Sequence, residues 1–318
     1  MIEAPASLSV VLPVFNDGPA ALRCLNSLKA MDQPAADTPV EIIVVDNGST
    51  DGTREQLAGI TGILLLDEKR RGSYAARNRG AGAARGAVLA FTDSDCEVGP
   101  GWARAIVDAL ADPDVHAVQG HTTGRAGRSV WSAYCGRQYA ETLQAMTEGP
   151  RLDRADTRNL AVRREVFERL GGFRTEWLYA GDWEFGARMH HEGMAIASEP
   201  SMQVTHHDPE SLRRLLGTRR AQASCMASMV DRIPWLAESG YLAPAKRWYH
   251  GARRVPLLRR AMGGLLNAGA SAIAGWLLLA HAGRLDPVGY RLFKAAGALA
   301  GAAGLYRPAP LLSDSCRE

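Results

Sequence analysis

The chain has 318 residues, 46% of them hydrophobic and 22% charged, with a formal net charge of +3; this composition suits a foldable globular chain and excludes a disordered, collagenous or disulfide-knitted one. Its 37 Lys and Arg against 34 Asp and Glu leave no positive excess that would make nucleic acid the expected partner. Five cysteines, at 24, 96, 135, 225 and 316, form no C-x-x-C pair, which argues against a zinc ribbon or a secreted disulfide framework and for a reducing compartment.

The N-terminal stretch carries Glu3 rather than a basic region ahead of a short apolar run, so it reads as a first strand and not as a signal peptide. LSVVLPV (8–14) and VEIIVV (40–45) are short, β-branched and apolar at nearly every position, as strands buried on both faces of a parallel sheet are. Between them, Ala21, Leu22, Leu25 and Leu28 lie at helical spacing within 17–31. Further apolar runs at 63–66 and 87–92 flank a Gly- and Ala-rich helical segment, which gives β-α-β-α-β alternation and predicts a doubly wound α/β sheet. Beyond residue 101 the pattern predicts a helix over 102–110, a strand over 116–119, a strand and helix within 157–173, a helix opened by Asp182 and ended by Gly193, and a last strand over 202–207.

In such sheets ligands bind beyond the carboxyl ends of the strands. Polar residues gather there: Asn16 and Asp17 after the first strand, DNGSTDGT (46–53) after the second and DSD (93–95) after the fourth. Each alone also fits a cap or turn; three at one edge point to a polar ligand. On an extended chain Asp93 and Asp95 would project to one side and could hold Mg²⁺ or Mn²⁺, with an imidazole from His206 or His207 favouring Mn²⁺. Gly80, Gly82 and Gly86 do not make a dinucleotide fingerprint, because the last glycine is one residue late and the segment precedes a strand. A P-loop and a G-x-S-x-G elbow are absent from the sequence.

Together, VVLPVFN, VVDNGSTDGT, GSYAARNRGAGAARGAVLAFTDSDCEVGPGW, NLAVRREVFERLGGF, AGDWEFG and VTHHDP, in this order, resemble the inverting family 2 glycosyltransferases of the GT-A fold over residues 8 to 225. The resemblance implies a UDP- or GDP-linked sugar donor, a divalent metal (Mn²⁺ or Mg²⁺), a saccharide or lipid-linked acceptor and a catalytic carboxylate. Pro13, Phe15 and Asn16 would line the nucleotide pocket, Asp46 would accept the base N–H, and Ser49 and Asp51 fall in the same loop. Arg77 matches the basic residue near the nucleotide, and Asp93, Ser94 and Asp95 match the D-x-D, with Asp95 and His206 as metal ligands. Asp182 matches the general base, with Glu184 as backup; the family's usual acidic pair is broken here by Gly181. Read without the resemblance, Asp182 is a helix N-cap. Trp102, Tyr179 and Trp183 are candidates for sugar stacking or core, and Arg213, Arg214, Arg219 and Arg220 for a solvated helix face or a loop closing on the diphosphate.

Residues 1–100 are thereby expected to form the nucleotide-sugar half of a GT-A domain, 101–225 its acceptor half and 226–318 a helical extension. Six Lys and Arg between 246 and 260 precede an uncharged run, 261–283, which suggests attachment of a cytoplasmic enzyme to the inner membrane surface, against a helical dimer face or a helical cap. The rivals are a nucleotidyltransferase, which lacks its basic phosphate loop here, and an inactive binding protein on the same fold, which the four aspartates 46, 93, 95 and 182 disfavour.

Overall fold

The computed structural model describes residues 7–34, 38–125, 130–147, 155–208, 211–237, 265–266, 268–273 and 287–305. They fall in two compact units, one running to Thr123 and resuming over Tyr139–His207, the other holding Gly124–Gln138 and described residues within Asp208–Leu312.

The first unit is built on an eight-stranded sheet of order β3-β2-β1-β4-β7-β6-β8-β5. Strands β1 (Leu8–Val14), β2 (Val40–Asp46), β3 (Leu64–Asp67) and β4 (Val88–Thr92) are parallel, joined through helices α1 (Gly18–Ala30), α2 (Thr53–Ala58) and α3 (Ser73–Ala83). This is the alternation expected from the apolar runs. The other half departs from the doubly wound expectation. β7 (Asn159–Arg163) runs antiparallel to β4 and to β6 (Ala117–Gly124), and β5 (Cys96–Val98) antiparallel to β8 (Ile196–His206). β6 and β8 are longer than their apolar cores predicted, and β5, three residues long, carries no periodicity of its own.

Because side chains alternate along a strand, Leu8, Val10, Leu12 and Val14 enter one core with α1 and α4 (Trp102–Ala109), while Val11, Ile43, Val45, Leu89 and Phe91 enter a second with α3, α6 (Arg164–Arg169) and α7 (Gly181–His191). A Cβ at Gly80 would come 2.4 Å from Val11 Cγ1, so α3 lies on the sheet at a distance only glycine permits. Trp102 is fully buried and donates from Nε1 to Asn159 Oδ1 at 2.8 Å, which makes it core and not a sugar platform.

In the second unit, α8 (Leu212–Arg232) packs along α9 (Pro287–Leu305), whose Phe293, Ala296, Ala300 and Ala303 form a buried stripe at helical spacing. Ser211 caps α8. Arg213, Arg214, Arg219 and Arg220 lie on this helix, which is the helix-face alternative and not the closing loop. The boundary expected at 225 lies inside α8, and that at 100 divides strands of one sheet. Among the described residues no helix is long and apolar enough to cross a membrane; the basic run at 246–260 and most of 261–283 lie outside them.

Candidate active site

The turn after β1 and the loop after β2 are tied together by their own side chains. Asn16, at φ +50°, donates its backbone N–H to Ser49 Oγ at 2.9 Å and accepts the Thr50 N–H on Oδ1 at 2.7 Å. Asp46, only 4% exposed at the end of β2, takes the Gly48 and Ser49 N–H groups on Oδ2, at 3.2 and 3.1 Å. Its Oδ1 is buried with no partner among the described residues. A buried carboxylate oxygen left unmatched is costly, and a ligand N–H would remove that cost. Pro13 is buried in β1 beside Val45 of β2, and Phe15 is 42% exposed with the Arg71 guanidinium 4.8 Å from its ring centre. Asp51 accepts the Thr53 N–H at 3.0 Å at the start of α2, and the Thr53 side chain first, then this N–H, hold its carboxyl below the ordinary range; it builds the loop.

Asn47 is a residue the sequence reading passed over. Its amide donates to the carbonyls of Glu68 and Arg70, at 2.9 and 2.8 Å, and its Oδ1 accepts the Gly72 N–H at 2.8 Å, so it fixes the entry to α3. From α3, buried Arg77 ion-pairs with Asp93 at the end of β4.

Residues 93–96 form a turn closed by the Cys96 N–H on the Asp93 carbonyl at 3.1 Å, and not the extended chain expected. Asp93 and Asp95 accordingly have different partners. Asp95 Oδ2 lies 3.4 Å from His206 Nε2, while His207 turns its ring to Glu97. Cys96 stands opposite His206 in the β5–β8 ladder, and His207, just past β8, gives its backbone N–H to the Asp95 carbonyl at 2.8 Å. Asp95, Cys96 and His206 each offer a donor atom within 4.8 Å of the others. Burial pushes the Cys96 thiol well up, so it stays protonated, and the usable donors are a carboxylate and an imidazole. This set fits Mn²⁺. Burial raises the Asp95 carboxyl, but His206 and Arg158 outweigh it and hold it low, in the ionised form a metal needs.

Behind His206, the Tyr139 hydroxyl lies 3.4 Å from Nδ1 and accepts from Arg158 Nη1 at 2.9 Å; Arg158 is ion-paired with Asp156. These residues reach the site because β7 is antiparallel: its amino end, beginning at Asn159, abuts the carboxyl end of β4 at Thr92. Tyr139 comes from α5 (Val130–Thr147), a helix the sequence reading did not assign.

Asp182 lies in the first turn of α7, whose N-cap is Ala180 at φ +60°, so it is not the N-cap. Its Oδ1 accepts from the Tyr74 hydroxyl at 2.9 Å and the Trp183 N–H at 3.0 Å; its Oδ2 accepts from Thr157 N–H at 3.1 Å and Oγ at 3.3 Å. Burial, and then the charge of Asp156, raise its carboxyl above the ordinary range, against Thr157, Arg77 and Tyr74, which lower it. Glu184 is bound to Arg188, at 2.8 and 2.9 Å, and to Arg174, and serves structure. Leu178 and Tyr179, just before α7, are exposed.

Residues 9–171, just over half of the chain, match the model of glycosyl transferase family 2. The chain belongs to this family. Glycosyltransferase AglE of Haloferax volcanii is 30% identical over 199 residues, which are 59% of this chain and 63% of AglE. Succinoglycan biosynthesis protein ExoO of Rhizobium meliloti is 30% identical over 181 residues, 53% of this chain and 49% of its own length. The chain thus spans less than two thirds of either relative. The fold is that of the mannosyltransferase PcManGT from Pyrobaculum calidifontis, solved with GDP-Man and Mn²⁺: the TM-score is 0.66 at 24% identity, covering 96% of this chain and 88% of that one. The family 2 chain therefore has the GT-A type fold, a mixed sheet with C-terminal helices.

Proposed function

We propose that this chain is an inverting, metal-dependent glycosyltransferase that moves a sugar from a nucleoside diphosphate to a hydroxyl in polysaccharide or glycolipid synthesis. The observation that carries the reading is that one helix, α3, serves both ends of the reaction: Tyr74 reaches Asp182, and Arg77, one turn on, reaches Asp93 of the D-x-D.

In this reading the unmatched Asp46 Oδ1 accepts a base N–H, with Pro13, Phe15, Asn16 and Ser49 around the base and Ser94 toward the ribose. Asp95 and His206 would hold the cation, which would supply positive charge against the developing negative charge of the diphosphate. Asp182 takes the proton of the acceptor hydroxyl as that oxygen bonds to the anomeric carbon and the bond from that carbon to the diphosphate oxygen breaks. Attack on the face opposite the leaving group inverts the configuration. The raised Asp182 carboxyl suits a base, since a weaker acid leaves a better proton acceptor.

The relative named for succinoglycan biosynthesis supports a saccharide acceptor, and the neighbour's ligands support a nucleotide sugar with Mn²⁺. Such an enzyme would work at the cytoplasmic membrane surface, where its donor and a lipid-linked acceptor meet. The test is a thermal-shift screen of UDP- and GDP-sugars with and without Mn²⁺, followed by nucleoside diphosphate release from the donor that stabilises most. Mn²⁺-dependent stabilisation and release are expected; indifference to every nucleotide sugar overturns the reading.

A further inference from the structure

We propose that Tyr74 is the positioning residue of Asp182: its hydroxyl fixes Oδ1, leaving Oδ2 to receive the acceptor's proton. This rests on the reading of Asp182 as the base.

Four donors surround the carboxylate, two on each oxygen, and a carboxylate has about four acceptor sites. A base must release one of them. The two backbone N–H groups are fixed in the chain, so a hydroxyl has to yield. The Thr157 hydroxyl is the longest contact, at 3.3 Å, and its N–H stays on the same oxygen at 3.1 Å when the hydroxyl rotates away. Tyr74 is held far more firmly. It is 5% exposed, its ring lies 5.5 Å from that of Phe173, and Arg77 sits 5.5 Å from its centre on the other contact. Oδ2 is therefore the oxygen that opens, and Tyr74, together with the Trp183 and Thr157 N–H groups, keeps the carboxylate from turning when it does.

Gly181 belongs to the same device. A Cβ there would lie 2.8 Å from Tyr74 Cε2 and 2.9 Å from Cδ2, so the aromatic ring occupies the space that any side chain at 181 would fill. The residue beside the base is glycine because the tyrosine stands where an acidic neighbour's side chain would begin.

The groups acting on Asp182 are Asp156 and Thr157 from the segment before β7, and Tyr74 and Arg77 from α3. On its own helix Glu184 is taken by Arg188 and Arg174, and β8, packed on α7, turns apolar Ile196 into the same core. A hydrogen bond to the ionised carboxylate favours that form. Removing the hydroxyl with the ring kept should raise the Asp182 titration midpoint.

The test uses the full chain labelled with [¹³Cγ]aspartate, the Asp182 signal being assigned by its loss in Asp182→Asn. Tyr74→Phe, with its fold checked by melting, is expected to move the midpoint up by about one pH unit, and the acid limb of nucleoside diphosphate release by the same amount, about tenfold in rate at a fixed pH below the limb. Gly181→Ala, which keeps the hydroxyl and crowds the ring, is expected to move both in the same direction and serves should Tyr74→Phe not fold. An unchanged midpoint overturns the proposal, and a shifted midpoint with an unshifted limb overturns its part in the reaction. Full turnover in Asp182→Asn would instead strike at the base assignment itself, so the two failures are separable.

Discussion

Arg77 and Asp93 form an ion pair whose arginine side chain is 3% exposed and whose aspartate is 30% exposed. The guanidinium is sealed beneath α3, while the carboxylate reaches water beside Asp95. Breaking a buried pair leaves an uncompensated charge. Arg77→Met is expected to lower unfolding stability by about 2 kcal/mol, below the range for fully buried pairs because Asp93 keeps some solvent. Urea denaturation checks this; a variant as stable as the parent contradicts it.

The two adjacent histidines should behave differently. His206 faces Asp95, and His207 is paired with Glu97. His206→Ala and Asp95→Asn are each expected to weaken Mn²⁺ binding by an order of magnitude or more, in line with loss of a ligand, whereas His207→Ala leaves it within about twofold. Isothermal titration with MnCl₂ and a nucleoside diphosphate reads this directly. Equal losses in the two histidine variants would contradict the assignment.

Asp46→Asn exchanges one carboxylate oxygen for an amide and removes the charge that a base N–H would meet. Hydrogen bonds to a charged group are worth about 1.5–3 kcal/mol, so nucleotide affinity is expected to fall about tenfold or more. Binding of UDP and GDP by calorimetry, in parallel for parent and variant, is the measurement; unchanged affinity for both would remove Asp46 from the base pocket.

Much of this was legible in the sequence because the residues concerned sit at the ends of parallel apolar strands. Asn16, Asp46, Asp93 and Asp95 follow β1, β2 and β4, and the rule that ligands lie at carboxyl ends finds them. What escaped came through contacts that no local pattern encodes. Thr157 and Arg158 reach the site from the amino end of an antiparallel strand, Tyr139 from a helix without a clear apolar stripe, and Tyr74 meets Asp182 across 108 positions of chain. The D-x-D was misjudged in shape for a related reason: Asp93–Asp95 carry turn-forming residues, and the turn, by letting Asp93 meet Arg77 and Asp95 meet His206, gives the two carboxylates separate work.

The pH dependence follows from Asp182. Burial and Asp156 raise its carboxyl above the ordinary carboxylate range; a raised value means the carboxylate is protonated, and the base lost, at a higher pH than for an exposed aspartate. The acid limb of kcat/KM is therefore expected above about pH 4, the ordinary aspartate value. A limb at or below that value in a pH series with constant Mn²⁺ would contradict the environment described for Asp182.

The central claim is that Asp182 takes the acceptor's proton, and turnover of Asp182→Asn in a folded chain that still binds nucleotide and Mn²⁺ tests it most directly. The amide can accept a hydrogen bond but is no base at neutral pH. The account predicts a fall in turnover of about 10²- to 10⁴-fold with nucleotide affinity retained. Near-parental turnover would contradict it.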